Sequence, residues 1–140
     1  MRTVREHSLA TLLLYCQRDL LARMTPHLDA HDVTAEQWRV LSALQDRDGV
    51  PMAELAASAV LPPPTLTRTM DRLVERGIVM RSIDRNDRRK VVALLTPAGE
   101  RVAEDLRSCE AETEQRLVDQ LGQEQFGLMA GLLTSLAAGE

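Results

Sequence analysis

The chain has 140 residues, 44% of them apolar, which is the length of one domain with enough hydrocarbon for a core. Only Tyr15, Trp38 and Phe126 are aromatic, so the core must be built from Leu, Ala, Val and Met, a composition that favours helix over sheet. Two cysteines exclude a disulfide framework, and no apolar run approaches the ~20 residues of a membrane span. With no cleavage-site pattern behind Arg2 and Arg5, the expectation is a soluble cytoplasmic protein.

The net charge of −4 is unevenly placed. Pro62 to Lys90 holds eight basic and four acidic residues, whereas Glu100 to Glu124 holds eight acids and three arginines. A basic module joined to an acidic one fits contact with an anionic polymer on one face only.

In chain order, apolar residues at three- and four-residue spacing predict a first helix over about Glu6 to Ala30. Leu9, Leu12, Leu13, Cys16, Leu20, Met24 and Leu28 form its stripe, and Leu14 and Leu21 widen it, as contact with a second subunit would require. Pro26 is expected to kink or interrupt this helix. Thr34 to Gln37 is a capping box that starts a second helix, Ala35 to about Asp46, with Trp38, Leu41 and Leu44 inward. Asp48-Gly49 is a turn, and a short third helix runs from Met52 to about Ala59 behind Pro51.

A fourth helix begins at Pro63 or Pro64 and ends before Gly77, which reads as a C′ glycine. Its apolar face is Leu66, Met70, Leu73 and Val74; Arg68, Arg72 and Arg76 repeat every four residues on the other. Like charges in a row need an anion opposite, and DNA phosphate supplies one, against the alternative of a solvated face. Amides at the start of this helix are expected to point at phosphate, since no capping side chain precedes it. In a helix-turn-helix, Pro64, Thr65, Thr67 and Arg68 stand where base edges are read, and Arg72 and Arg76 where phosphates are touched. Ile78 to Ile83 and Arg89 to Leu95 are predicted strands around a basic tip, in which Arg88 is the candidate for a minor groove, supported by Arg85, Asn86 and Lys90.

Thr96-Pro97 starts a long helix to about Leu121 with an acidic outer face, Gly122 breaks it, and a last helix runs from about Gln123 to Ala138. The apolar stripes of the terminal helices exceed what one small domain covers. Leu9, Leu13, Leu117, Leu121, Phe126, Met129 and Leu133 are therefore assigned to a homodimer interface. The fold class is mostly α with a minor β component: a winged helix-turn-helix over residues 34–96, flanked by dimerisation helices at 1–33 and 97–140.

The segment Asp84-Arg85-Asn86-Asp87-Arg88-Arg89-Lys90 with Val91 to Leu95, Thr96, Pro97 and Gly99 resembles the wing signature of the multiple-antibiotic-resistance regulator (MarR) family. Thr65 to Arg68, Leu73 to Val79, Glu54 to Ala56 and Thr34 to Leu41 match its pattern as well, so the likeness covers almost the whole chain. The resemblance implies a dimeric winged helix-turn-helix, usually a repressor of a neighbouring gene, that binds a double-stranded operator and is released by a small aromatic or phenolic acid. The proline run Pro62-Pro63-Pro64 departs from the family, which more often has Ser or polar residues there. Ser8 to Asp29 with Ala35 to Arg39 is similar to regulators of aromatic-acid catabolism, in which a first-helix arginine holds the ligand carboxylate; Arg18 is the matching position, with a salt bridge near Asp19 or to a second subunit as the alternative. Trp38 is either core or a ligand-stacking wall. The resemblance also pairs Asp87 with Arg89 to stiffen the wing.

Other chemistry is weighed and set lower. Cys16 and Cys109 lie on apolar stripes and are expected to be buried, which disfavours a thiol sensor. His27 and His31 could hold a metal with Asp29 or Asp32, but also suit the end of a helix, and no metal site is assigned. No phosphate loop, nucleophile motif or Ser/His/Asp spacing occurs, so neither a catalytic residue nor a cofactor is expected. A thiol- or metal-responsive regulator of the same fold and a winged helix used for protein contact are the alternatives.

Overall fold

The computed structural model describes residues 7–139. The elements run α1 (Leu9–Ala30), α2 (Ala35–Leu44), β1 (Val50–Pro51), α3 (Met52–Ala59), α4 (Pro63–Glu75), β2 (Val79–Ile83), β3 (Val91–Leu95), α5 (Pro97–Leu121) and α6 (Gln123–Ala138). The predicted residue Glu6 at the start of α1 lies outside the described residues.

Local signals fix the helix starts. The Ser8 side chain accepts from the Thr11 amide at 3.2 Å and begins α1. At α2 the Gln37 amide donates to Thr34 Oγ1 (3.1 Å) and the Thr34 amide donates to Gln37 Oε1 (3.0 Å), a complete capping box. At α5 the Gly99 amide donates to Thr96 Oγ1 at 3.0 Å, with Pro97 in the first turn. Of the two expected outcomes at Pro26, interruption does not occur: α1 continues through it. The bond that proline removes would end on the carbonyl of Ala22, which is exposed to water, while Met24 and Leu28 on the inner face are buried and hold the helix in place.

The sheet has order β1-β3-β2, all antiparallel, with Val79 opposite Leu95 and Val50 opposite Ala93. The wing strands are shorter than predicted because Arg89 and Lys90 belong to the tip. The two-residue β1 is too short to show an alternating pattern, and its Pro51 can lie only at an edge. In the α3–α4 turn, Val60 takes a left-handed conformation (φ 55°) that a β-branched residue adopts only under strain.

The core gathers Met24 and Leu28 of α1, Val40, Leu41 and Leu44 of α2, Leu55 of α3, Met70 and Leu73 of α4, Val79 and Ala93 of the sheet, and Ala103 and Leu106 of α5. Cys109 is half-buried beside this core, but Cys16 is exposed, which corrects the expectation that both cysteines are buried. The stripe on α1 enters the core only through its C-terminal half. Leu9, Leu12, Leu13 and Leu14 face outward, as do Leu121, Leu128, Met129, Leu132, Leu133 and Leu136, and α6 buries no residue at all. Leu117 and Phe126 are half-buried.

Candidate nucleic-acid interface

Helix α4 turns Leu66, Thr69, Met70 and Leu73 inward and leaves Pro63, Pro64, Thr67, Arg68 and Arg72 exposed; Thr65 is half-buried. Pro62 is its N-cap, and Pro63 and Pro64 fill the first two helical positions. Three of the four amides that a helix start normally leaves unpaired are thus replaced by proline nitrogen. Only the Thr65 amide remains, because the Leu66 amide already donates to the Pro62 carbonyl at 2.9 Å. The expectation that amides here point at phosphate is therefore corrected. The prolines also explain why no capping side chain is needed. Thr67 is turned back on its own helix, its hydroxyl donating to the Pro63 carbonyl at 3.1 Å.

Arg68 and Arg72 line a shallow hollow of about 270 Å³ with Thr34, Glu36, Gln37, Thr65 and Thr69, between the start of α2 and α4. Neither guanidinium has a carboxylate within 4.0 Å among the described residues. Arg76 differs. Its Nη1 donates to the Asp32 carbonyl (2.6 Å) and its Nη2 to the His31 carbonyl (3.0 Å), with Gln37 Oε1 at 3.4 Å from Nη1. The phosphate role expected for Arg76 gives way to this internal bonding, because the guanidinium finds the carbonyls at the end of α1 first.

The wing tip is held by two aspartates. Asp84 Oδ1 accepts from the Asn86 amide (2.7 Å) and Asp87 Oδ1 from the Arg89 amide (3.0 Å). The Asp84 amide donates to the Lys90 carbonyl (2.9 Å), closing the hairpin. Arg85, Asn86, Arg88 and Lys90 all project into solvent. The Arg89 Nε stands 3.8 Å from Asp87 Oδ1, but its side chain is 95% exposed, so Asp87 stiffens the tip mainly through the backbone. The wing is tied to α4 by Arg81 Nη2, which donates to Asp71 Oδ1 at 2.6 Å.

Trp38 is half-buried at the wall between two hollows. One, about 450 Å³, is lined by Gln17, Trp38, Arg39, Ser42, Val60 and Glu110 among others. The other, about 150 Å³, lies between α2 and α5 and reaches Arg107. Arg18 lines neither. Its guanidinium lies over the Tyr15 ring at 5.2 Å and 3.7 Å from Asp19 Oδ1, in solvent. Burial pushes the Glu110 carboxyl up from the ordinary range, and Glu114 adds to this against Arg107. Burial likewise raises the Cys109 thiol, which opposes thiolate chemistry there. His31 Nε2 faces Asp105 Oδ2 at 3.6 Å, and no cluster of three metal-ligating side chains occurs among the described residues. Arg39, Glu110 and the Asp71–Arg81 tie escaped the sequence reading, since only the fold brings them to these places.

Comparison with known proteins fits this architecture. The MarR family model matches residues 33–91. The transcriptional regulator FarR of Neisseria gonorrhoeae is 30% identical over 138 residues, covering 98% of this chain and 94% of that one. The homoprotocatechuate degradative operon repressor of Escherichia coli is 26% identical over 131 residues, covering 94% and 88%. The crystal structure of NadR in complex with 4-hydroxyphenylacetate superposes with a TM-score of 0.85 at 30% identity, covering 100% of both chains. With the winged helix-turn-helix complete and the full length matched, the chain belongs to the MarR family of DNA-binding transcriptional regulators.

Proposed function

We propose that this regulator is a cytoplasmic homodimeric repressor that binds a pseudo-palindromic operator and leaves it when an aromatic acid binds. The observation that carries the DNA face is the pairing of free Arg68 and Arg72 on α4 with the exposed cations of a wing braced by Arg81 and Asp71. Pro64, Thr65, Thr67 and Arg68 read base edges in the major groove, Arg72 touches phosphate, and Arg88 enters the flanking minor groove with Arg85, Asn86 and Lys90 beside it. Residues 34–96 form the DNA-binding region and the terminal helices form the dimer. Leu9, Leu13, Leu121, Met129 and Leu133 belong to an exposed apolar surface too large for a monomer in water, and a second copy covers it together with Leu117 and Phe126.

The effector cleft is the hollow at Trp38, whose size suits a small aromatic acid. The cation lining that hollow is Arg39; Arg18, on the dimer helix α1, is the other candidate anchor for the carboxylate. NadR with 4-hydroxyphenylacetate and the repressor of homoprotocatechuate degradation favour a hydroxylated aromatic acid.

The test is a gel shift on duplexes selected by the protein from a random library, over a salt series, then challenged with hydroxylated aromatic acids beginning with 4-hydroxyphenylacetate. Tight, salt-dependent binding that an acid reverses is expected. Absence of salt-dependent duplex binding would overturn the DNA role, and binding that no acid in the panel reverses would overturn the effector class.

A further inference from the structure

The geometry points to Arg76 as a positioning residue that sets the angle of the recognition helix against the dimer helices, and so fixes the operator spacing that the protein accepts. Arg76 is the C-cap residue of α4, yet its guanidinium reaches away from its own helix to the end of α1. It donates to the carbonyls of His31 and Asp32, where α1 ends in a left-handed turn (Asp32 φ 53°). A helix C-terminus presents unpaired carbonyls and partial negative charge, which a planar guanidinium can meet with two donors at once. The same Nη1 also approaches Gln37 Oε1, the acceptor in the capping box of α2. One side chain therefore joins the end of α4 to the end of α1 and the start of α2.

The junction reaches further through His31. Its carbonyl takes the Arg76 donor, while its ring faces Asp105 on α5 at 3.6 Å. Helices α1 and α5 carry the apolar faces assigned to the dimer; α4 carries the DNA face. Arg76 stands at the polar crossing between them, and the alternative, a buried apolar contact, would tolerate sliding that two short hydrogen bonds do not. The inference rests on the dimeric DNA-binding reading above.

The experiment measures parent, Arg76→Ala and Arg76→Lys on a selected operator and on versions with one base pair inserted or removed at the centre. One base pair moves a half-site by about a tenth of a turn. The parent is expected to lose about tenfold or more in affinity on the altered spacings. Both variants are expected to discriminate less than about threefold while keeping the parental salt slope, because lysine cannot span two carbonyls. Melting curves run beside them identify any variant that fails to fold, and the lysine variant then carries the test alone. Parental spacing discrimination in either folded variant overturns the inference. So does a salt slope that falls by about one in Arg76→Ala and is restored in Arg76→Lys, the mark of a phosphate contact. A parent that itself ignores spacing refutes the dimeric reading instead.

Discussion

Arg81 on β2 donates to Asp71 on α4 at 2.6 Å, so an ion pair ties the wing to the recognition helix beside the proposed DNA face. Asp71 repeats at helical spacing with the outward arginines, and the pair is partly open to solvent. Breaking it with Asp71→Asn should cost less than about 1 kcal/mol of stability. Its effect on operator affinity should be larger than its effect on melting, because the wing loses its fixed direction. Titration of the operator alongside thermal melting measures both, and a loss of affinity no greater than the loss of stability would refute the bracing role.

Arg68 and Arg72 should fail in different ways. Arg68→Ala should cost about 1–3 kcal/mol on the selected operator and flatten sequence preference at one position per half-site. Arg72→Ala should weaken all duplexes alike and lower the salt slope by about one. Binding to a set of point-substituted operators at several salt concentrations separates the two roles.

Gly99 is fixed by a neighbour rather than by its own backbone angles. A Cβ there would meet the Ile78 carbonyl oxygen, and that carbonyl is held by the Thr96 amide and within reach of the Thr96 hydroxyl, both at 3.1 Å. It cannot withdraw without opening the junction between the wing and α5. Gly99→Ala should therefore destabilise by at least about 1–3 kcal/mol, read as a lower melting temperature with the wild-type charge retained. A melting temperature unchanged by the substitution would show that α5 can shift.

Glu110 gives a pH signature. Burial raises its carboxyl pKa in the native state, so only at pH between the unfolded and native values does the folded chain keep a proton that the unfolded chain has lost. Its contribution is then greatest at pH below the unfolded pKa, declines as pH rises through the carboxylate range to the raised native value, and is flat beyond. Glu110→Gln should remove that decline and raise the melting temperature at neutral pH by about 1–3 °C, a small change because the side chain is only half-buried. Parallel melting profiles of the two proteins from acid to neutral pH would rule the effect out.

What the sequence displays depends on how far apart the partners lie. The Thr34–Gln37 box and the Thr96-Pro97 start join residues within one helical turn, and both are present where spacing predicted them. The arginine row at four-residue intervals was legible for the same reason. What became of its third member was not, because the carbonyls that take Arg76 are 44 and 45 positions away. Cys16 illustrates the other limit. Its stripe is real, but only the lower half of α1 meets the core of its own chain, and periodicity does not say which apolar face a subunit buries by itself. The hollow at Trp38 draws on α1, α2, α3 and α5, so Arg39 and Glu110 had no shared local pattern to reveal them.

The proline run at the head of α4 has a consequence for when and how firmly that helix forms. Helices are slow to start because the first turn must fix several dihedral angles for one hydrogen bond, and they fray at their ends for the same reason. At Pro62, Pro63 and Pro64 the ring has already fixed φ in the unfolded chain. The end of the recognition helix proposed to enter DNA is thus held in helical φ before folding. The opposite end, beside Gly77, is held by a different device, the Arg76 guanidinium on the carbonyls of His31 and Asp32.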